Sequence, residues 1–405
     1  MKRSRLFGRS FWVFVAPLAA FFLWNSLLAS GRQTSANDFS FPKQKPLFDK
    51  LDVLEAWQMT KGNPKVVVGV IETGFDFFHP NLKDQFIPGF YAPGGYHLDI
   101  YHNIAHGTVV SSIIAAQGIQ GSEMIGLAPD CKILTASTGI VEQALLKLKS
   151  KFDQEHPNAD LSEFQKEMMK HMDELKEFGS KWTAHMASSH GEAIRYLVDH
   201  GVKVINISGL LRKALILSPE AWNKLEDAFK YAASKDVIIA VGAGNDAKEY
   251  EDYPGDHNSV IVVGATSFND KRWEIEMPVM GRKIKQGSSY GKRLTVMAPS
   301  ENMVGCVPHD KRFYSCEDSP MGAINEEFKG LYETFPEGAT SSATPIVTSL
   351  VALVYSLRPD LQARSVMEII RQGCDDIGDP GYDIYTGYGR VNFLKTLKLA
   401  KDWKE

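Results

Sequence analysis

Five short runs limit what this chain can become. Residues 66–71, 202–208, 237–241, 260–265 and 294–299 are dominated by Val, Ile, Leu and Ala. β-Branched residues fit a pleated surface, and an apolar run without alternation marks a strand buried on both faces. A shorter run, Ile133-Leu134-Thr135-Ala136, reads the same way. Between the runs lie stretches with helical character, including 109–116, 191–200 and an amphipathic 218–235. Strands alternating with helices predict an α/β fold, a doubly wound parallel sheet flanked by helices. Such sheets form their sites beyond the carboxyl ends of the strands. The residues that end each run are therefore the place to look for chemistry.

Glu72-Thr73-Gly74 ends the first run, and Gly242-Ala243-Gly244-Asn245 follows the third. His106-Gly107-Thr108 opens the small and apolar stretch 109–116. Gly338-Ala339-Thr340-Ser341 opens a strongly apolar stretch that runs to 358 and suits a buried helix. Pro345 fits the first turn of that helix, where a missing N–H costs nothing. Ser341 then lies where unpaired N–H groups and the positive end of the dipole favour negative charge. Alone, Ser341 reads as an N-cap or as a nucleophile. Alone, Glu72 can cap a loop, His106 can cap a helix and Asn245 can hold a turn. Gathered at one sheet edge, they supply an acid, a base, an amide donor and a nucleophile.

These residues resemble the subtilisin-like serine peptidases, or subtilases. Ile71-Glu72-Thr73-Gly74 resembles the family's Asp-Thr-Gly, and His79-Pro80-Asn81-Leu82 its following His-Pro-Asp-Leu. His106-Gly107-Thr108 matches His-Gly-Thr, and Gly126-Leu127-Ala128-Pro129 resembles Gly-Val-Ala-Pro. Val204-Ile205-Asn206-Ile207-Ser208 resembles the substrate-binding strand, and Gly244-Asn245 the oxyanion-hole pair. Thr340-Ser341-Ser342-Ala343-Thr344-Pro345 resembles Thr-Ser-Met-Ala-Ala-Pro, and 387–392 the closing motif. The resemblance covers about residues 47–395, in the order acid, His, Ser. It implies a serine endopeptidase with Ser341 as nucleophile, His106 as base and Glu72 as the acid that holds the base. It also implies Asn245 in the oxyanion hole and peptide binding by Ser208, Gly209, Gly242, Ala243 and Gly244. The substrate is a protein or peptide, and no cofactor is required. Family members often carry structural calcium in loops, but no specific calcium pattern stands out here.

The chain departs from the pattern in places. The acid is Glu, one methylene longer than Asp. Asp76, four residues on, matches a second family Asp and is not expected to be the triad acid. Gly209-Leu210 inverts the usual Leu-Gly, and Ala339 stands where the family has Gly. Residues 30–46 are too few to fold the propeptide domain common in the family. The alternative function is a catalytically silent subtilase fold serving as a binding or scaffold protein.

Lys2, Arg3, Arg5 and Arg9 precede an almost uncharged run from 11 to 29, the layout of an export signal. The run is also near the length that spans a bilayer. Residues 1–29 thus read as a signal peptide or an N-terminal anchor, and 30–46 as a linker. A peptidase domain fills 47–405. The product is secreted or periplasmic, or membrane-tethered through 11–29 if the run is not cleaved. Net charge is −4 with no dense basic cluster beyond the N-terminus, which argues against nucleic acid as partner. Residues 49–60 have the spacing of one helix, stopped by Lys61-Gly62-Asn63-Pro64. Residues 141–189 read as a separate helical insertion broken at Pro157, packed on the surface or serving to bind a partner or cover the site. Of four cysteines, Cys306 and Cys316 are near enough in sequence to close a ring, while Cys131 and Cys374 sit in apolar contexts. None has metal-ligand spacing.

Overall fold

The structure is a computed structural model that describes residues 40–91, 106–138, 155–156, 172–209, 211, 213, 216, 218–255, 258–279, 282–307, 331–336 and 338–405. In chain order the helices are α1 (Lys45–Lys50), α2 (Val53–Ala56), α3 (His106–Ala115), α4 (Met172–Asp199) and α5 (Pro219–Ser234). They continue with α6 (Thr340–Leu357), α7 (Ala363–Gln372) and α8 (Phe393–Asp402). The strands are β1 (Val67–Glu72), β2 (Phe86–Tyr91), β3 (Lys132–Ser137), β4 (Val204–Ile207), β5 (Ile238–Gly242) and β6 (Val260–Thr266). After them come β7 (Glu274–Val279), β8 (Arg282–Gly287), β9 (Leu294–Pro299), β10 (Met303–Cys306) and β11 (Tyr332–Phe335).

Each of the apolar runs becomes a strand of one seven-stranded sheet, ordered β2-β3-β1-β4-β5-β6-β9. Every pairing in it is parallel. This is the expected α/β architecture. β1 is central, and Val68, Val70 and Ile71 are fully shielded. Two small antiparallel pairs, β7–β8 and β10–β11, lie outside the main sheet. α6 is apolar all round because it is the core helix of one face, with Ile346, Val347, Leu350, Val351 and Val354 at 0% exposure. It is long and apolar enough to cross a membrane, but 78% of it is buried inside the protein.

Several expectations need correction. The helix over 49–60 is two short helices, α1 and α2, because Leu51-Asp52 turns the chain and Asp52 takes a left-handed φ of 53°. Pro345 lies in the second turn of α6, not the first. Its ring lacks the N–H that would otherwise bond the Ser341 carbonyl. The second half of the expected insertion is not separate from the helix at 191–200, since α4 runs unbroken from Met172 to Asp199. Cys306 is a free thiol at 0% exposure, and burial pushes it up to about 12. The N-terminal run 1–29, the linker up to 39, Leu210, Cys316 and nearly all of 139–171 lie outside the described residues.

The placement of α4 follows from one contact. A Cβ on Gly69 of β1 would meet the Leu197 side chain at 2.9 Å, so Leu197 sits directly over Gly69. From Leu197 back to His190 is two helical turns, about 10 Å at 1.5 Å per residue. From Gly69 forward to Glu72 is also about 10 Å along a strand. α4 returns antiparallel to the strands, so His190 lies level with Glu72.

A half-buried ionic knot around the buried Arg390 joins distant parts of the chain. Arg390 bonds Asp270 at 2.5 Å and Asp375 at 2.8 Å, and Lys50 reaches Asp270 at 2.6 Å. Asn392 donates to both Asp52 and Asp375. The carboxyl of Asp270 is held below its ordinary value because hydrogen bonds and charge from Arg390 and Lys50 outweigh its partial burial.

Candidate active site

Glu72 is the last residue of β1, so the core fixes its backbone. Its side chain is 8% exposed, and Oε2 lies 2.8 Å from Nδ1 of His106. Oε2 also accepts from the Thr73 N–H at 3.4 Å. Oε1 is buried and has no hydrogen-bond partner among the described residues. Burial lowers the affinity of the His106 imidazole for a proton, but the charge of Glu72 and the hydrogen bond to it overcome that. The net result is a value above the ordinary 6.5.

His106 is the first residue of α3. The two residues after it bind that helix to the end of β1. Gly107 N–H donates to the Thr73 carbonyl at 2.8 Å, and Thr108 N–H to the Gly74 carbonyl at 3.1 Å. These are first-turn donors that a helix cannot satisfy itself. The Thr108 hydroxyl accepts from the Asp76 N–H at 2.9 Å. A Cβ at Gly107 would lie 2.9 Å from the Gly74 carbonyl oxygen, so only glycine permits the approach. His-Gly-Thr is thus a docking device that sets the imidazole against Glu72. Asp76 serves this turn, its Oδ1 accepting from the Phe78 N–H, and does not bond His106.

A second bonded group stands at the same edge, two strands away. Asn245 follows β5 through Gly244, whose φ of 96° belongs to the region glycine favours. The Asn245 carbonyl oxygen accepts from both the N–H and the hydroxyl of Thr340, at 2.9 and 3.0 Å. The Thr340 hydroxyl in turn accepts from the Gly244 N–H at 3.2 Å. Two donors on one amide oxygen settle which end is oxygen. The Asn245 NH₂ group is therefore the end left for a ligand.

Ser341 follows Thr340 directly. The N-cap of α6 is Ala339, in extended conformation, and Ser341 is the second helical residue. The cap reading of Ser341 does not hold. Its side chain is half-buried, and its hydroxyl has no hydrogen-bond partner among the described residues. Its N–H lies in the first turn, where no intrahelical acceptor exists. α3 packs along α6.

Ser208 and Gly209 leave the end of β4, and Gly242, Ala243 and Gly244 close β5, its neighbour in the sheet. Their carbonyls are partly engaged: Tyr253 donates to Ala243 O at 2.6 Å and the Ser289 N–H to Gly244 O at 2.8 Å. These residues stand side by side at the carboxyl ends of two paired strands. The structure therefore brings every expected site residue to one sheet edge. It adds Thr340, which the sequence reading passed over. The signal was available: a hydroxyl residue directly before the candidate nucleophile. Among the described residues no group of three His, Cys, Asp or Glu stands where a metal ion would be held.

A search of family profiles matches the Subtilase family over residues 63–389. The thermophilic serine proteinase of Bacillus sp. (strain AK1) is 26% identical over 342 residues, 83% of this chain and 63% of that protein. Fervidolysin of Fervidobacterium pennivorans is 25% identical over 85% of this chain and 42% of its own. The cell wall-associated protease of Bacillus subtilis (strain 168) is 25% identical over 90% of this chain and 36% of its own. The chain thus spans less than two thirds of each of these relatives. Among solved structures, MycP1 from the ESX-1 type VII secretion system superposes with a TM-score of 0.60 at 21% identity, covering 89% of this chain and 85% of that one. A lanthipeptide protease superposes at 0.58 and 20% identity, covering 89% and 96%. At such identities the likeness is one of fold.

Proposed function

We propose, from the premise that this chain belongs to the subtilase family, that it is a serine endopeptidase cleaving peptide bonds through an acyl-enzyme. One observation carries the reading: His106 Nδ1 lies 2.8 Å from Glu72 Oε2. A carboxylate accepts, so the neutral ring carries its proton on Nδ1, and Nε2 is left as the base. His106 takes the Ser341 hydroxyl proton at Nε2 as the oxygen attacks the substrate carbonyl, then gives it to the leaving amine. Glu72 orients the ring and stabilises its charged form. The Ser341 N–H and the Asn245 NH₂ group bind the oxyanion. Ser208, Gly209 and Gly242–Gly244 line the peptide.

The same proposal includes export directed by residues 1–29, with a tether through 11–29 where the run is kept. The description of one relative as a cell wall-associated protease supports work outside the cytoplasm. It also includes a substrate- or partner-facing role for the 141–189 segment, supported by the unbroken run of α4 from Met172 to His190, whose ring senses the charge of Glu72.

The test is labelling with a fluorophosphonate probe. The wild type is expected to label and to hydrolyse peptides, and Ser341→Ala to do neither, a loss of about 10⁶ in kcat. Labelling that survives in Ser341→Ala would remove Ser341 from the role. A folded wild type that neither labels nor cleaves would hand the chain to the silent-scaffold reading.

A further inference from the structure

The two donors proposed for the oxyanion come from separate parts of the chain. Asn245 follows β5, and Ser341 opens α6. Such donors work only at a set distance from one oxygen, and therefore from each other. The Thr340 clamp ties the Asn245 amide to α6, but something must hold the start of α6 in turn.

The chain enters α6 through a tight gap at Gly338. A Cβ there would lie 2.5 Å from both Ser300 Oγ and Trp273 Cδ1, and 2.6 Å from Trp273 Nε1. Ser300 is fully buried and Trp273 is 2% exposed. Both are bonded to the end of β6. The Trp273 N–H donates to the Ala265 carbonyl at 2.9 Å, and the Ser300 N–H to the Thr266 carbonyl at 3.1 Å. The core of the sheet thus sets both walls of the gap, and glycine fits between them. Ala339, the next residue, has φ −161° and ψ 151°, extended backbone open to any side chain. Alanine is tolerated at 339 because the close approach falls one residue earlier. The indole Nε1 of Trp273 is buried with no hydrogen-bond partner among the described residues. An unbonded buried donor costs free energy, so what Trp273 contributes here is its shape.

Trp273 is also one foot of a hairpin. It precedes β7, Ser288 follows β8, and the Ser288 N–H closes the base by donating to the Trp273 carbonyl at 2.8 Å. The other foot is bonded to the Asn245 side. The Gly287 N–H donates to the Asn245 backbone carbonyl at 3.0 Å, and the Ser289 N–H to the Gly244 carbonyl at 2.8 Å. One foot therefore bears on the segment that leads to Ser341, and the other holds the segment that carries Asn245.

We propose that the base of the β7–β8 hairpin is a bracket that sets the spacing of the two oxyanion donors, with Trp273 as its positioning residue. The bracket rests on the peptidase reading for its purpose, but its geometry stands without it.

Trp273→Leu empties the space beside Gly338 and leaves the backbone bonds of the hairpin in place. The Thr340 N–H, bonded to Asn245 Oδ1, should then exchange with solvent about tenfold faster by NMR, while amides within β1 keep their wild-type rates. In the active enzyme kcat should fall about tenfold with KM unchanged. In an Asn245→Ala background there is no second donor left to space, so the same substitution should lower kcat less than about twofold. A substitution that only weakened the fold would speed exchange in β1 too and act equally in both backgrounds. Should Trp273→Leu fail to fold, Trp273→Phe removes the indole edge alone and should move Thr340 exchange in the same direction. An unmoved Thr340 exchange, or a kcat loss as large without Asn245 as with it, overturns the bracket. Faster Thr340 exchange in a protein whose wild type neither labels nor hydrolyses upholds the bracket and overturns the peptidase reading.

Discussion

Asn245 takes two donors from a single residue, Thr340, onto one amide oxygen, whereas Glu72 offers one carboxylate oxygen to His106 and Thr73 and leaves the other without a partner among the described residues. The two sides of the site do different physical work. In the proposed role of oxyanion donor, Asn245 is a neutral dipole, useful only with the correct end forward and close to the oxyanion. Directional bonds are what hold it. Glu72 acts on His106 partly through charge, which falls off slowly with distance. A carboxylate can therefore be displaced by one methylene and still orient a ring, provided one oxygen reaches Nδ1. On the proposed reading, Glu can therefore stand in place of Asp at the end of β1, while the Asn245 amide depends on its two bonds from Thr340.

The difference can be broken first by removing the charge and keeping the shape. Glu72→Gln should lower kcat by about 10⁴, because an amide also favours the wrong imidazole tautomer. It should also move the acid limb of kcat/KM below that of the wild type, since burial of His106 then acts without opposition. Near wild-type rates in Glu72→Gln would remove Glu72 from the triad. Next, Asn245→Ala should lower kcat by about 10²–10³ with KM little changed. A loss confined to KM would make Asn245 a substrate-positioning group instead.

A finer cut is Thr340→Val, which keeps the volume but takes one of the two donors from the Asn245 oxygen. The amide is then less firmly oriented, and kcat should fall about tenfold. No change would mean that the Thr340 N–H alone sets the amide.

The smallest effect is on stability. His106 has its folded value raised above the ordinary 6.5. The attraction to Glu72 thus stabilises the fold fully below that unfolded value and is lost as pH rises through the folded one. Thermal midpoints at about pH 6 and pH 8 should show the wild type losing more of its advantage over Glu72→Gln at the higher pH. Equal differences at both would place the pair's charge coupling below detection.

The acid side was legible in the sequence because both its anchors are. A continuous β-branched run fixed where β1 ends, and His-Gly-Thr before an apolar stretch fixed where α3 begins. The oxyanion side was half legible: Gly244-Asn245 stood out and a hydroxyl residue stood directly before Ser341, but nothing local ties that hydroxyl to an amide 95 positions away. Local conformation defeated the reading elsewhere. The left-handed turn at Asp52 splits a periodic stretch that looks like one helix, and Pro345 enters a helix already under way at Thr340. The boundary at 189 was drawn from composition, which changes from charged to small and apolar. A helix is continuous in its backbone, and α4 crosses that change without a break.

The same helix has a mechanical meaning. α4 is a stiff rod, about 42 Å long, whose later turns, with Ala193, Ile194 and Leu197, are sunk in the core. Where it leaves the core, Gly191 brings it close to α5, with a Cβ there only 3.4 Å from the Lys224 carbonyl. Six residues farther along the same rod, Leu197 bears on Gly69 of β1, three residues before Glu72, so one rigid element ties α5 to the strand that carries the acid.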